Sequence, residues 1–252
     1  RPGGSAAIVA TLNAERAANG IPGDVRENAE WSASCADHVA YMTAARRLTH
    51  TEDPASPSYT ASGSWAAENS VLAAGTGWQD GELFADSPLH LIQLLSPELH
   101  EIGVAEDSGY LCITTWPGYR DTRWSKPTVF TYPGDGATGV PLSQRAHELP
   151  FTPGDFVGLP KGAVTGFDIM VFTAGLAHPG QAHVVAAALR GPAGRVAVKT
   201  VDRTTPTVGP YLPPGSGFVI PVAPLQPGTA YRATVRFAGG PRHTWNFVTA
   251  DA

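Results

Sequence analysis

The stretch that most constrains the fold is Phe84-Ala-Asp-Ser-Pro-Leu-His-Leu-Ile-Gln-Leu-Leu95. Ser87 followed by Pro88 predicts the start of a helix, because Ser is a favoured N-cap residue and the fixed φ of Pro suits the first helical position. The helix is expected to end before Ser96-Pro97, ahead of a strand. His90 then lies in the first turn, where the helix dipole disfavours imidazolium and favours a neutral ring that can bind a metal ion or accept a proton.

The composition indicates a folded, turn-rich protein with substantial β structure. The chain has 252 residues, of which 42% are hydrophobic and 15% charged, with 28 Gly and 23 Pro. This length suffices for one large domain or two modest domains, each with a buried core. No stretch approaches the roughly 18 consecutive apolar residues of a membrane-spanning helix. No signal peptide is visible, and a chain beginning Arg1-Pro-Gly-Gly is expected to be a mature or trimmed product.

Charge is divided unevenly along the chain. Residues 1–124 carry 7 Lys plus Arg against 16 Asp plus Glu, whereas the remainder carries 10 against 6. No Lys or Arg occurs between Leu48 and Tyr119, although ten acidic residues do. This acidic surface either attracts cations or only keeps the protein soluble. In both cases it repels phosphate backbones, so nucleic acid is not an expected partner.

The two cysteines, Cys35 and Cys112, fall in different predicted elements. A disulfide between them would close a loop of 78 residues counting both ends, for which loop-closure entropy gives at most roughly 4 kcal/mol. We expect this disulfide, with two separate buried thiols as the alternative. Together with the scarcity of lysine, 3 against 14 Arg, it predicts a secreted bacterial protein.

Hydrophobic periodicity predicts further helices in the first half. One runs over Ser5–Asn19 and ends at Gly20, and a second runs over Glu30–Arg47. His38 lies within or beside the apolar stripe of the second helix, so we expect it to be packed rather than to bind a ligand.

A third short helix is predicted over Trp65–Ala74, with Ser64 as its N-cap. In that helix Glu68 would share one face with Val71 and Leu72. Two strands are then expected near 101–105 and 109–116, followed by a linker at 117–125.

From Lys126 onward the apolar residues alternate with a period of two, and Pro and Gly turns separate the runs. This pattern is typical of a β-sandwich, and no helix is needed. The seven strand candidates are 128–132, 166–173, 182–189, 194–201, 217–222, 229–237 and 243–249.

Five short motifs of the first half resemble, in their order, a bacterial member of the CAP superfamily. These are the cysteine-rich secretory, antigen-five and pathogenesis-related proteins, also called SCP domains. The resemblance covers about residues 5–118 and implies an α-β-α sandwich with a central cleft lined by two histidines and acidic residues. The motifs are Leu12-Asn13-Ala-Glu-Arg16, Leu48-Thr-His50, Ala67-Glu68-Asn69, Asp86-Ser87-Pro88-Leu-His90 and Glu101-Ile-Gly-Val104.

The resemblance implies that the cleft residues of this chain are His50, Glu68 and His90, with Asp86 and Ser87 alongside. Ser87 stands where many eukaryotic members carry a second Glu, so the family's full set of four is incomplete here. Bacterial members often have this Ser-Pro form. The multiple disulfides of the eukaryotic proteins are absent as well.

The second half contains looser motifs that resemble bacterial immunoglobulin-like or fibronectin-like modules. They are Tyr132-Pro-Gly-Asp-Gly-Ala-Thr-Gly-Val-Pro141, Leu225-Gln-Pro-Gly-Thr-Ala-Tyr231 and Trp245-Asn-Phe-Val-Thr249. We therefore predict an α+β protein with a CAP-type α-β-α sandwich in residues 1–124. An all-β immunoglobulin-like sandwich follows in residues 125–252.

The leading functional hypothesis is a secreted, monomeric binding module. Its acidic cleft would take a divalent cation, a lipid or a protein, and the second domain would serve as a spacer or attachment domain. If the fold gathers them, His50 and His90 with Glu68 match a zinc site with one open position, and Asp86 could add a fourth oxygen. A hydrogen-bonded His-Glu network with a structural role is the alternative.

Two other functions stay open from the sequence. In the first, a metal-assisted hydrolase, Glu68 would act as base on a metal-bound water while His50 and His90 hold the ion. The chain lacks a Gly-x-Ser-x-Gly nucleophile motif, so an enzyme is the less expected outcome. The second is a structural cell-surface protein whose cleft is vestigial.

Overall fold

The computed structural model describes residues 4–75, 84–120, 124–149, 151–156, 158–160, 162–176 and 182–251. The chain divides into two compact units. The first comprises Arg1–Arg16, Pro22–Ala85 and Glu98–Arg120, and the second Ala17–Ile21, Asp86–Pro97 and Asp121–Ala252. The predicted domain boundary at residue 124 stays a prediction, and 86–97 groups with the second half of the chain.

The first two predicted helices are confirmed. Helix α1 (Ser5–Ala18) ends before Gly20, which has a φ of +72° that glycine adopts without steric cost. Helix α2 (Ala29–Ala45) begins at Asn28, whose side chain accepts hydrogen bonds from two backbone N–H groups of the first turn. It ends at Arg46 in the left-handed conformation.

The third predicted helix is wrong in its position. Helix α3 covers Ala61–Glu68, and Thr60 rather than Ser64 is its N-cap. Residues Ser70–Ala74 form strand β2, although the sequence suggested that they continue the helix. A short apolar run fits either structure by periodicity alone, and here pairing with a neighbouring strand decides. Glu68 therefore ends α3 and does not share a helical face with Val71 and Leu72.

The first unit has a mixed four-stranded sheet in the order β1-β3-β4-β2. Strand β1 (Arg26–Glu27) runs parallel to β3 (Glu101–Asp107), while β4 (Tyr110–Thr114) pairs antiparallel with both β3 and β2. Helix α2 packs on β3 and β4. Both strands of the predicted pair are thus confirmed.

The predicted disulfide is confirmed between Cys35 on α2 and Cys112 on β4, with the two Cα atoms 5.5 Å apart. Both residues are fully buried in a cluster that also contains Val39, Met42 and Leu72. The disulfide therefore joins helix and sheet inside the core of the first unit.

The predicted linker at 117–125 is wrong over its first residues. Trp116–Gly118 form a 3₁₀ turn, and Arg120 N–H donates to Glu98 O at 2.8 Å. His100 N–H likewise donates to Gly118 O at 3.0 Å. These hydrogen bonds hold the segment within the first unit, while residues 121–123 lie outside the described residues.

The second unit contains helix α4 (Pro88–Leu95) and two sheets. The four-stranded sheet has the order β10-β11-β7-β5, and the five-stranded sheet has the order β6-β13-β12-β8-β9. The strands are β5 (Thr128–Tyr132), β6 (Ala137–Val140), β7 (Ile169–Ala174), β8 (Val184–Gly191), β9 (Gly194–Val196), β10 (Val198–Asp202), β11 (Ser216–Pro221), β12 (Ala230–Phe237) and β13 (Arg242–Thr249).

All seven strand candidates of this half are confirmed, with two corrections. The candidate at 194–201 is divided at Ala197 because the chain passes there from the five-stranded to the four-stranded sheet. Strand β6 lies in a stretch for which no strand was predicted. Trp245 and Phe247 on β13 are buried on the inner face of their sheet. The immunoglobulin-like identity of this unit stays a prediction.

None of the helices in the described residues is long and apolar enough to cross a membrane. The fold class is mixed, with helices and several sheets, as the sequence predicted.

Candidate functional site

Helix α4 begins where the sequence predicts, but its cap is different. Ser87 has the N-cap position and Pro88 the first helical position, yet the Ser87 side chain makes no capping hydrogen bond. Its hydroxyl instead donates to His147 O at 3.4 Å. The backbone N–H groups of the first turn therefore need another acceptor.

That acceptor is Glu148. Both of its carboxylate oxygens lie 3.0 Å from Leu89 N, and Oε2 also accepts from His90 N at 3.3 Å. The same oxygen is 2.9 Å from His90 Nδ1. A residue 58 positions later in the chain thus caps the helix and pairs with its histidine. A carboxylate at a helix N-terminus is favoured by the helix dipole as well.

The chain around Glu148 is fixed to the start of α4 by its backbone. His147 N–H donates to Asp86 O at 2.6 Å, next to the Ser87 contact with the same residue. The side chain of Glu148 is 1% exposed and that of His90 is 16% exposed. The pair therefore joins a buried carboxyl group to a histidine that solvent still reaches.

Two opposing effects act on the Glu148 carboxyl group. Burial raises its pKa, while the hydrogen bonds from His90 and Leu89 act to lower it. The sequence pointed only to the helix dipole beside His90, and the structure adds a carboxyl group at the same helix end.

A second buried carboxyl group lies near this pair. Asp168 is 2% exposed, and the hydroxyl of Thr165 donates to it at 3.2 Å. Burial raises the pKa of Asp168 to about 7, and the negative charge of Glu148 adds to the rise. Two carboxyl groups in one buried region thus oppose each other's ionisation.

His50 belongs to the first unit. Its Nδ1 lies 2.9 Å from Ala67 O, and because a carbonyl oxygen can only accept, Nδ1 must carry the proton. The residue is exposed, as is the adjoining Glu68 at the end of α3. The structure therefore brings His50 to the end of α3, beside Glu68.

His38 fixes the loop that carries His50. The prediction of a packed histidine is confirmed, because His38 is fully buried and both ring nitrogens are bonded. Nε2 donates to Thr49 O at 2.8 Å, and Nδ1 lies 2.8 Å from Glu52 Oε1. Glu52 Oε2 accepts from Thr60 N, which begins α3. This buried pair positions the loop before His50 and the helix that follows.

The predicted cleft residues fall into two groups. His50 and Glu68 lie in the first unit, and Asp86, Ser87 and His90 lie in the second. Asp86 is exposed and Ser87 is half-buried. Gathering of all five around one cleft stays a prediction.

The predicted metal ligands were His50 and His90. Within the described residues, no three His, Cys, Asp or Glu side chains lie close enough to hold a metal ion together. The metal site at His50 and His90 stays a prediction.

Glu148 was not predicted as a site residue, because it lies outside the motifs that pointed to the cleft. One signal was available. Residues 125–252 contain only six acidic residues, and Glu148 is the only Glu among them. Nothing in the sequence, however, indicates that this Glu returns to a helix 58 positions earlier.

One comparison with known proteins gives a match within the first half of the chain. Residues 9–109 match the model of the Cysteine-rich secretory protein family, abbreviated CAP. The match supports a CAP-superfamily domain in this part of the chain, as the five motifs predicted. No curated protein sequence matches the chain.

Proposed function

We propose that this CAP-domain protein is a secreted binding module, and that His90, oriented by Glu148, is its principal polar contact with the ligand. The observation that carries the proposal is the His90–Glu148 pair at the start of α4. Proteins of this family are commonly secreted, and a buried disulfide fits an oxidising compartment.

The pair has the chemistry of a recognition site. A histidine whose Nδ1–H is held by a carboxylate has a fixed ring orientation and keeps the lone pair of its neutral ring on Nε2. Nε2 can then accept a hydrogen bond or coordinate a cation. Burying Glu148 carries a desolvation cost, which the three α4 donors offset in part.

His50 is a second candidate contact. Its Nδ1 is held by a carbonyl oxygen, which leaves the lone pair of the neutral ring on Nε2. A histidine oriented in this way can contact a polar or cationic group. A divalent cation, a lipid headgroup and a protein side chain share this chemistry.

A thermal-shift series tests this function. Zinc, calcium and a sterol are added separately to the full chain, to the His90→Gln variant and to the His147→Gln variant. A ligand at a hundred times its dissociation constant stabilises by about 2.7 kcal/mol, which is a shift of several degrees. We expect at least one of these ligands to raise the melting temperature of the wild type.

His147→Gln is the matched control, because this exposed neighbour uses only its backbone at the site. We expect His147→Gln to keep the shift and His90→Gln to lose most of it. An equal shift in all three proteins would contradict the role of His90. If none of the three probes has an effect, the proposed ligand classes are wrong.

A further inference from the structure

The outer face of the five-stranded sheet carries a group of exposed arginines. Arg232 on β12 lies directly opposite Arg190 on β8, and Arg190 lies opposite Arg195 on β9. Further along β12, Arg236 lies opposite Arg242 on β13. All five are exposed, and residues opposite each other in register share one face of a sheet. We call these five residues the arginine face.

The fold itself does not account for this arrangement. Like charges directly opposite each other across strands are destabilising. The structure gives none of the five guanidinium groups a hydrogen bond or ion pair with another described residue. Residues 182–252 contain seven Lys plus Arg against two Asp plus Glu. Of those two acids, Asp202 is buried and accepts hydrogen bonds from Val184 N and Thr204.

The arginine face has two groups, one formed by Arg190, Arg195 and Arg232 and the other by Arg236 and Arg242. Small side chains cover the surface between them. A shallow groove of about 280 Å³ is lined by alanines of β8 together with Thr234, Arg236 and Arg242. An adjoining groove of about 470 Å³ is lined by Arg195 and Lys199, among others. Neighbouring strands lie about 5 Å apart, and four residues along a strand span about 13 Å. The positive charges therefore lie in two rows with an open floor between them.

We propose that the arginine face binds a linear acidic polysaccharide. Guanidinium groups match carboxylate and sulfate groups with paired hydrogen bonds. A chain with an acidic group on successive sugars could contact both rows and lie on the small residues between them. The site is separate from His90 and does not depend on the binding function proposed above.

Other polyanions fit the face less well. Single-stranded nucleic acids bind on aromatic platforms, but the aromatic residues of β12 and β13, such as Tyr231 and Trp245, are buried on the opposite face. Membrane surfaces are bound by large apolar side chains that insert into the lipid, whereas this face presents alanine, threonine and arginine.

The test measures binding of the full chain to heparin, to polygalacturonate and to neutral dextran. Heparin offers sulfate groups and polygalacturonate offers carboxylates, so the two probes distinguish the acidic group. We expect binding to at least one of them that weakens with added salt, and none to dextran. Replacing Arg190, Arg195 and Arg232 by Gln should weaken this binding about tenfold or more.

The matched control replaces Arg26, Arg46 and Arg47 by Gln. These three are exposed residues of the first unit, so the net charge changes equally while the arginine face is intact. We expect the control to bind like the wild type. Equal weakening of both variants would show a net-charge effect and overturn the proposal. Absence of binding at low salt, or tighter binding to duplex DNA or anionic vesicles than to either glycan, would overturn it as well.

Discussion

Replacing both Cys35 and Cys112 by Ala is expected to lower the free energy of unfolding by about 2–4 kcal/mol. The disulfide spans 77 positions, so its loss frees a long loop in the unfolded chain. In a domain of this size the change corresponds to a fall in melting temperature of roughly 5–15 °C. Chemical or thermal unfolding of the wild type and the double variant measures it.

The same experiment has a chemical control. Both cysteines are completely buried, so reductant should reach the disulfide only slowly while the protein is folded. Unreduced protein, denatured and treated with a thiol reagent, should show no thiol, because neither cysteine is free. Detection of both thiols would contradict the Cys35–Cys112 disulfide. A double variant with the same melting temperature as the wild type would contradict its stabilising effect.

Asp168→Asn is expected to change how stability depends on pH. Burial raises the pKa of Asp168 to about 7 in the folded protein, above its ordinary value of 3.8. The folded state therefore binds a proton more tightly than the unfolded state. The free energy that this tighter proton binding contributes to folding is complete below about pH 4 and is lost as the pH rises to about 7. Its upper limit is about 4 kcal/mol.

The Asn side chain is neutral at every pH, so the variant should lack most of this decline. We expect Asp168→Asn to be more stable than the wild type near pH 8 and similar to it near pH 4. Denaturant unfolding at several pH values measures the difference, with the exposed Asp251→Asn as the control. Parallel pH curves for the wild type and Asp168→Asn would contradict a buried, neutral Asp168. Any decline that remains in the variant is expected to come from Glu148, whose pKa burial also raises.

Local signals predicted most of the secondary structure. Gly20 and Pro88 act within one turn of the chain, so the end of α1 and the start of α4 follow from the sequence. The alternation of β12 likewise identifies its buried face. These features need no information from distant residues.

Errors occurred where a distant partner decided the structure. Residues Ser70–Ala74 form a strand because β4 pairs with them. A prediction from hydrophobic periodicity uses only the segment itself and cannot take that partner into account. The candidate at 194–201 was divided because its two halves join different sheets. In both cases sheet pairing overrode the local pattern.

Distant partners also limited the prediction of the candidate site. The motifs identified His50 and His90, but not the groups that orient them. Ser87 was expected to cap α4, and Glu148 caps it instead from 58 positions away. Glu52 is one of the acids in the first half, yet only the structure shows that it bonds His38. Partners of buried histidines are long-range contacts, which spacing in the sequence does not reveal.

The central claim is that Glu148 orients His90 by accepting a hydrogen bond from Nδ1. The most direct measurement is the ¹⁵N NMR spectrum of the His90 ring near neutral pH, because the two nitrogen shifts report which nitrogen carries a proton. Glu148 Oε2 also accepts from His90 N, which favours its role as acceptor toward the ring. The account predicts a protonated Nδ1 in the wild type, and a change in that signal in Glu148→Ala. An unprotonated Nδ1, or a ring spectrum that Glu148→Ala leaves unchanged, would contradict it.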